Sequence, residues 1–131
     1  MDGTTGTHAG KVTVLGIGKA GVKIAAILHS TPESAWLKIG AADTDSASLD
    51  DAKIPDSFPV GFEWTHGIGT GGDVIRGERA FAHPSKHKVE EFFSGSSLLI
   101  VVCGFGGGTA TGGSPVLARH AKKLKVPTLF I

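Results

Sequence analysis

The 131-residue chain has a single cysteine, Cys103, so no internal disulfide can staple it, and a lone thiol of this kind points to a reducing compartment. It also lacks an excess of either charge. Thirteen Lys and Arg stand against twelve Asp and Glu, a formal net charge of +1, which makes nucleic acid a poor partner. Long apolar runs are missing as well. The longest, Leu98 to Cys103, falls far short of the ~18–20 residues of a membrane span. No apolar stretch in Met1 to Gly10 has the makings of a secretory signal. These absences predict a cytoplasmic chain with no direct membrane insertion. At this length one domain can bury its own core, so no structural metal is required.

What the chain has in abundance is glycine, 20 of 131 residues, about twice the usual ~7%. The glycines are clustered: Gly16, Gly18 and Gly21; then Gly67, Gly69, Gly71 and Gly72; then Gly104, Gly106, Gly107, Gly108, Gly112 and Gly113. Apolar runs of Val, Ile, Leu and Phe separate them, so the chain is not linker-like, and no 20–50-residue repeat is visible. Residues 1–10 read as a flexible tail and residues 11–131 as one domain.

Between the clusters, strand and helix patterns alternate. Lys11 to Gly16 reads as a buried strand, Ala20 to His29 as a helix that ends before Pro32, and Leu37 to Ala42 as a second strand closing on the polar run Asp43-Thr44-Asp45. A short helix over Ser46 to Asp51 and a weaker strand over Phe58 to Trp64 follow, the latter with Pro59 near its start. Gly72 to Phe93 reads as helical, broken or restarted at Pro84. Ser97 to Cys103 is the clearest strand, apolar along nearly its whole length as a doubly covered strand must be. Ser114 to Lys125 reads as a helix with Pro115 in its first turn, and Thr128 to Ile131 opens another strand. This alternation predicts an α/β fold, a Rossmann-like parallel sheet with helices on both faces. Ligands of such sheets bind beyond the carboxyl ends of the strands, where Gly16, Asp43, Gly67 to Gly72 and Gly104 would meet.

Gly16-Ile17-Gly18-Lys19-Ala20-Gly21 fits G-x-G-x-x-G between a strand and a helix, where glycine lets backbone N–H groups approach phosphate. It is not a P-loop, since Val22-Lys23 stands where Lys-Ser/Thr is required. The stretch from Gly104 to Gly113 is less ordinary. Three consecutive glycines cost conformational entropy and give the core nothing, yet they suit a main-chain cradle for an anion, with Thr109 and Thr111 as added hydroxyl donors. Asp43 and Asp45 read either as ligand-facing carboxylates or as a polar turn capping the helix at Ser46. The six histidines show no metal-ligand spacing; His83 and His87 flank Pro84 and read as surface. Cys103 reads as a small buried residue, and no Ser-His-Asp arrangement can be drawn.

Gly106 to Gly112 (GGGTATG) is one substitution from G-G-G-T-G-[ST]-G, and with it the chain resembles the nucleotide-binding half of the FtsZ/tubulin family of self-assembling GTPases. Lys11 to Val22 resembles that family's first phosphate loop, Ala41 to Leu49 its A-V-N-T-D-A-Q-A-L segment, and Gly67 to Gly77 its G-L-G-A-G-A-N-P-E-V-G, in family order over Lys11 to Ile131. The resemblance implies a GTP/GDP site with Mg²⁺. Gly16, Gly18, Lys19, Ala20, Gly21, Val22 and Lys23 would line the α- and β-phosphates. Gly104, Phe105, Gly106, Gly107, Gly108, Thr109, Ala110, Thr111 and Gly112 would cradle the β- and γ-phosphates. Asp43, Thr44 and Asp45 would lie near the γ-phosphate, the two aspartates beside Mg²⁺. Gly69, Thr70, Gly71, Gly72 and Asp73 would form the γ-phosphate-sensing loop.

Some positions depart from the family pattern. Lys19, Ala20, Val22 and Lys23 replace a run of glycines and an asparagine, Asp43 replaces another asparagine, Ala110 a motif glycine, and Glu78 an arginine. Two lysines favour phosphate, whereas Val22 and Ala110 are expected to add β-carbons where backbone should pass close. The resemblance further implies head-to-tail self-assembly, FtsZ-type partner proteins, and a chain without the base-binding helix and the second domain, either the N-terminal portion of a longer protein or a naturally reduced relative. Two other readings are an NAD-binding Rossmann domain of an oxidoreductase, which the Gly16–Gly21 fingerprint and Asp43 also satisfy, and a nucleotide-binding filament partner that does not hydrolyse.

Overall fold

The computed structural model describes residues 10–82 and 86–131, so the expected tail, save Gly10, and the expected break at Pro84 lie outside the described residues. Five parallel strands form one sheet in the order β3-β2-β1-β4-β5. They are β1 (Val12–Ile17), β2 (Lys38–Asp43), β3 (Ser57–Pro59), β4 (Leu98–Cys103) and β5 (Thr128–Phe130). The helices are α1 (Gly18–His29), α2 (Ser46–Ala52), α3 (Phe62–Thr65), α4 (Val74–Ala82), α5 (Lys86–Phe93) and α6 (Gly108–Lys123).

Alternate residues of the central strands feed two separate cores, as the two-residue period of a strand dictates. Leu15, Ile17, Leu99 and Val101 pack with Phe81, Phe93 and Leu117 from α4, α5 and α6. Val14, Ile39, Ala41 and Val102 pack on the other face with Val22 and Ala25 of α1 and Leu49 of α2. The sheet is therefore covered on both faces, as the apolar strand patterns predict.

Three elements differ from the expectation. The third strand stops at Pro59, because Gly61 takes a left-handed conformation (φ 67°) and starts the single turn α3. The first helix begins at Gly18, directly after β1, so there is almost no loop between them. The last helix begins at Gly108, six residues before Ser114, which places Pro115 in the helix interior rather than its first turn. Poor helix formers are helical here because bare backbone is what the neighbouring helix requires. A methyl on Gly77 of α4 would overlap the Gly108 carbonyl, and one on Gly112 would overlap the Val74 carbonyl and lie 2.6 Å from the Glu78 nitrogen. Tertiary contact overrides propensity.

Candidate functional site

The strand order reverses between β1 and β4, and a cleft of about 480 Å³ opens beyond their carboxyl ends. All four segments expected to converge there do so: the start of α1, the β2–α2 turn, the Ile68–Gly72 loop and the β4–α6 junction. Hydrogen bonds tie them to one another. The Thr44 and Thr109 hydroxyls pair at 2.7 Å, Gly69 N–H donates to the Thr44 carbonyl at 3.1 Å, and Asp45 bridges to Ile68.

Two helix N-termini face this space, and neither is satisfied from within. The residues before α1 and α6, Ile17 and Gly107, give no side-chain cap, and neither helix carries an acidic residue in its first turn. The first N–H groups of a helix have no partner inside it and carry the positive end of its dipole. Gly18, Lys19 and Ala20 of α1 and Gly107, Gly108, Thr109 and Ala110 at the start of α6 therefore present an anion-attracting wall.

The glycines divide by task. Gly18, Gly69, Gly71, Gly72 and Gly106 have positive φ and shape the loops. Gly16 and Gly21 instead let β1, α1 and β4 touch: a methyl on Gly16 would overlap the Gly21 carbonyl, and one on Gly21 the Val102 carbonyl. Gly107 belongs to neither group. Its φ of −85° suits any residue, and a β-carbon there would meet nothing within 4 Å, so the fold itself does not require glycine. Gly107 lines the cleft.

Of the expected site residues, Gly18, Lys19, Ala20, Asp43, Thr44, Asp45, Gly69, Thr70, Gly71, Gly72, Gly104, Phe105, Gly107, Gly108, Thr109 and Ala110 line the cleft. Gly16, Gly21, Val22, Lys23, Asp73, Gly106, Thr111 and Gly112 are not among its lining residues. Val22 is buried in the core beneath α1, so its β-carbon does not obstruct a phosphate path there. Lys23 is exposed and lines a separate groove between α1 and α2. Asp73 caps α4, accepting from Ile75 N–H at 2.9 Å and Arg76 N–H at 3.3 Å. Thr111, expected to donate to an anion, accepts from Gly106 N–H at 2.9 Å and so holds the loop in shape. One further lining residue, Ile68, carries no signal in the sequence. Ile68 is 83% exposed. Its place is set by the bridge to Asp45, a tertiary pairing with no local signature.

The two aspartates differ. Asp45 is the helix cap: Oδ1 accepts from Ala47 N–H at 3.1 Å, and Oδ2 faces Lys19 Nζ at 3.8 Å. Asp43 is 2% exposed; Oδ1 accepts from Thr44 N–H at 2.8 Å, and Oδ2 is buried with no donor in hydrogen-bonding geometry, although the Ser48 hydroxyl and the Asp45 N–H lie close enough to act on the carboxyl. Burial pushes its carboxyl above the usual carboxylate range, against the opposing pull of the Ser48 hydroxyl and the Thr44 and Asp45 N–H groups. Among the described residues no three His, Cys, Asp or Glu side chains are placed to hold a metal ion. Asp45 is engaged and Asp43 is sealed beneath the cleft, so these side chains do not form a metal cage of their own.

Fold and site together define a Rossmann-like α/β domain with two uncapped helix N-termini at a cleft beyond the carboxyl ends of its strands. The model of the Tubulin/FtsZ family, GTPase domain, matches residues 11–131, and the chain belongs to that family. It is 35% identical over 121 residues to cell division protein FtsZ 1 of Pyrococcus abyssi, covering 92% of this chain and 32% of that protein. Among solved structures it resembles an empty FtsZ dimer of M. jannaschii, with TM-score 0.81, 30% identity, and coverage of 92% of this chain and 35% of that one. It also resembles a GTPγS-bound protofilament of CetZ2 from Haloferax volcanii, with TM-score 0.82, 29% identity, and coverage of 92% and 39%. The chain thus spans about a third of the length of the relatives it matches. The family assignment replaces the oxidoreductase reading, whose fingerprint rested on the same Gly16–Gly21 turn and on Asp43. No helix of the described residues is long and apolar enough to cross a membrane.

Proposed function

We propose that this chain is the phosphate-binding part of an FtsZ-like cytoskeletal GTPase, and that the cleft holds the phosphates of GTP or GDP. The observation that carries this reading is the convergence of two uncapped helix N-termini on one cleft walled by glycine backbone. Gly107, Gly108, Thr109 and Ala110 supply N–H donors at the start of α6, Gly18 to Ala20 supply them from α1, and Lys19, paired with Asp45, adds a cation. The Gly69–Gly72 backbone closes the third side. Mg²⁺ would arrive on the nucleotide, with phosphate oxygens and water as its main ligands. It would neutralise phosphate charge, while the chain's own part is to bind and orient the phosphates. In the full protein the reading extends to head-to-tail assembly, in keeping with the dimer and the protofilament among the structural relatives.

Gly107→Val tests it. The fold has room for the side chain, and the local φ and ψ of −85° and 152° are extended, so the variant should fold normally while its branches enter the phosphate path. Losing two or three charge-assisted hydrogen bonds at ~1.5–3 kcal/mol each should weaken GTP and GDP binding by at least about a hundredfold in calorimetry. Unchanged affinity in a folded variant would remove this loop from the site.

A further inference from the structure

A second opening, a groove of about 510 Å³, lies on the flank of the domain between α1 and α2. The two helices sit side by side on one face of the sheet, α1 against β1 and β2, α2 against β2 and β3. Both start at the cleft end, where the Lys19–Asp45 pair at 3.8 Å sets α1 and α2 at the same level. At about 1.5 Å per residue, Lys23 then lies about 6 Å down α1 from Lys19, and Asp51 about 9 Å down α2 from Asp45. One further turn brings Ile27 near the level of Ala52. All four line the groove. The α1 side is thus positive and then apolar, and the α2 side negative and then small. Lys23 and Asp51 are exposed, and among the described residues neither forms an ion pair. Ile27 is 65% exposed, a branched apolar side chain beside a groove lined by alanines.

We propose that this flank pairs with the same flank of a second copy of the chain, α1 of each copy against α2 of the other. The surface is self-complementary. A two-fold axis parallel to the helices brings Lys23 of one copy to Asp51 of the other, and the reverse, while each Ile27 enters the opposite groove against Ala52. That axis leaves both clefts open and pointing the same way. The pairing therefore uses a different surface from head-to-tail assembly and could repeat between two filaments lying side by side. It is independent of what the cleft holds. Helices of 12 and 7 residues offer a patch at the small end of specific interfaces, so isolated copies pair weakly and repetition along a filament multiplies the contact.

Sedimentation equilibrium over a range of concentrations, without nucleotide, reads the pairing, and urea unfolding shows that each variant is folded. Lys23→Glu and Asp51→Lys should each weaken self-association by about tenfold or more, because each sets two like-charged contacts where two opposite ones stood. An equimolar mixture of the two variants should recover it, since both contacts of a mixed pair again join opposite charges. Groups that bridged the groove within one chain would give no such recovery. Ile27→Asp, at an exposed position, should weaken the pairing as well. Folded wild type that stays monomeric at every concentration overturns the proposal and leaves the groove to a different occupant. Association that both reversals leave unchanged, or a mixture that fails to recover, overturns it too. If either reversal unfolds the chain, unchanged association in Ile27→Asp overturns it on its own.

Discussion

Asp43 ties the site to the stability of the fold. An acid whose folded pKa lies above its unfolded value carries a penalty that is absent while both states are protonated, grows as pH rises past the unfolded value of ~3.9, and is complete above the folded value. Asp43→Asn removes the ionisable group and keeps the acceptor for Thr44 N–H. It should therefore raise unfolding stability by about 1–3 kcal/mol near neutral pH, with the gain vanishing toward about pH 4. Urea denaturation of both proteins across that range checks the sign. A variant less stable at neutral pH would mean that the buried oxygen is satisfied as an anion. The sequence marked Asp43 and Asp45 as a pair of equals. Their separation into a buried acid and a helix cap depends on which one α2 begins behind, and only the folded turn decides that.

At the scale of elements, α4 and α6 meet backbone to backbone through Gly77, Gly108 and Gly112, and this contact sets the α6 N-terminus beside the loop that leads into α4. Alanine at a helical glycine ordinarily gains up to about 1 kcal/mol. At Gly112 the new methyl would overlap the Val74 carbonyl and lie 2.6 Å from the Glu78 nitrogen, atoms that cannot rotate away. Overpacking should win, so Gly112→Ala is expected to cost about 2 kcal/mol in urea unfolding and to weaken nucleotide binding as the two helices part. A variant as stable as wild type would show that the helices have slack. This contact also marks where the sequence ceased to be legible. The three glycine clusters, the parallel sheet and the edge that carries the cleft were all readable from period and spacing. Which glycines face a ligand was not, because one required by a neighbouring helix, such as Gly112, and one left bare beside a cavity, such as Gly107, look the same in a string of letters. For that reason the sequence points to a start of α6 at Ser114, six residues late; Val22, next to a glycine of the first loop, lies in the core.

For the molecule as a whole, the cleft is built from backbone and from side chains that attract or repel charge, and this limits what it can discriminate. Reading guanine against adenine requires side chains placed to exchange hydrogen bonds with the base edge, and a site built that way rejects the wrong partner strongly because its own groups are left unpaired. This chain contains no asparagine or glutamine. Its polar lining side chains are Lys19, Asp43, Thr44, Asp45, Thr70 and Thr109. Of these, Asp43 is buried, Asp45 is divided between Ala47 N–H and Lys19, and the Thr44 and Thr109 hydroxyls are bonded to each other. Thr70 is buried, and its hydroxyl accepts from Gly72 N–H at 3.3 Å. Lys19 is paired with Asp45, and its ammonium only donates, so it cannot serve the guanine N–H groups. Residues 1–131 should therefore bind GDP and ADP with affinities within about threefold of each other, a difference below about 0.7 kcal/mol, while both stay far above the nucleosides, which lack phosphate. Competition titrations with GDP, ADP, guanosine and adenosine measure this directly. A preference for GDP of about a hundredfold or more, worth about 2.7 kcal/mol, would require a base-reading group within these residues and would refute a cleft that recognises phosphate alone.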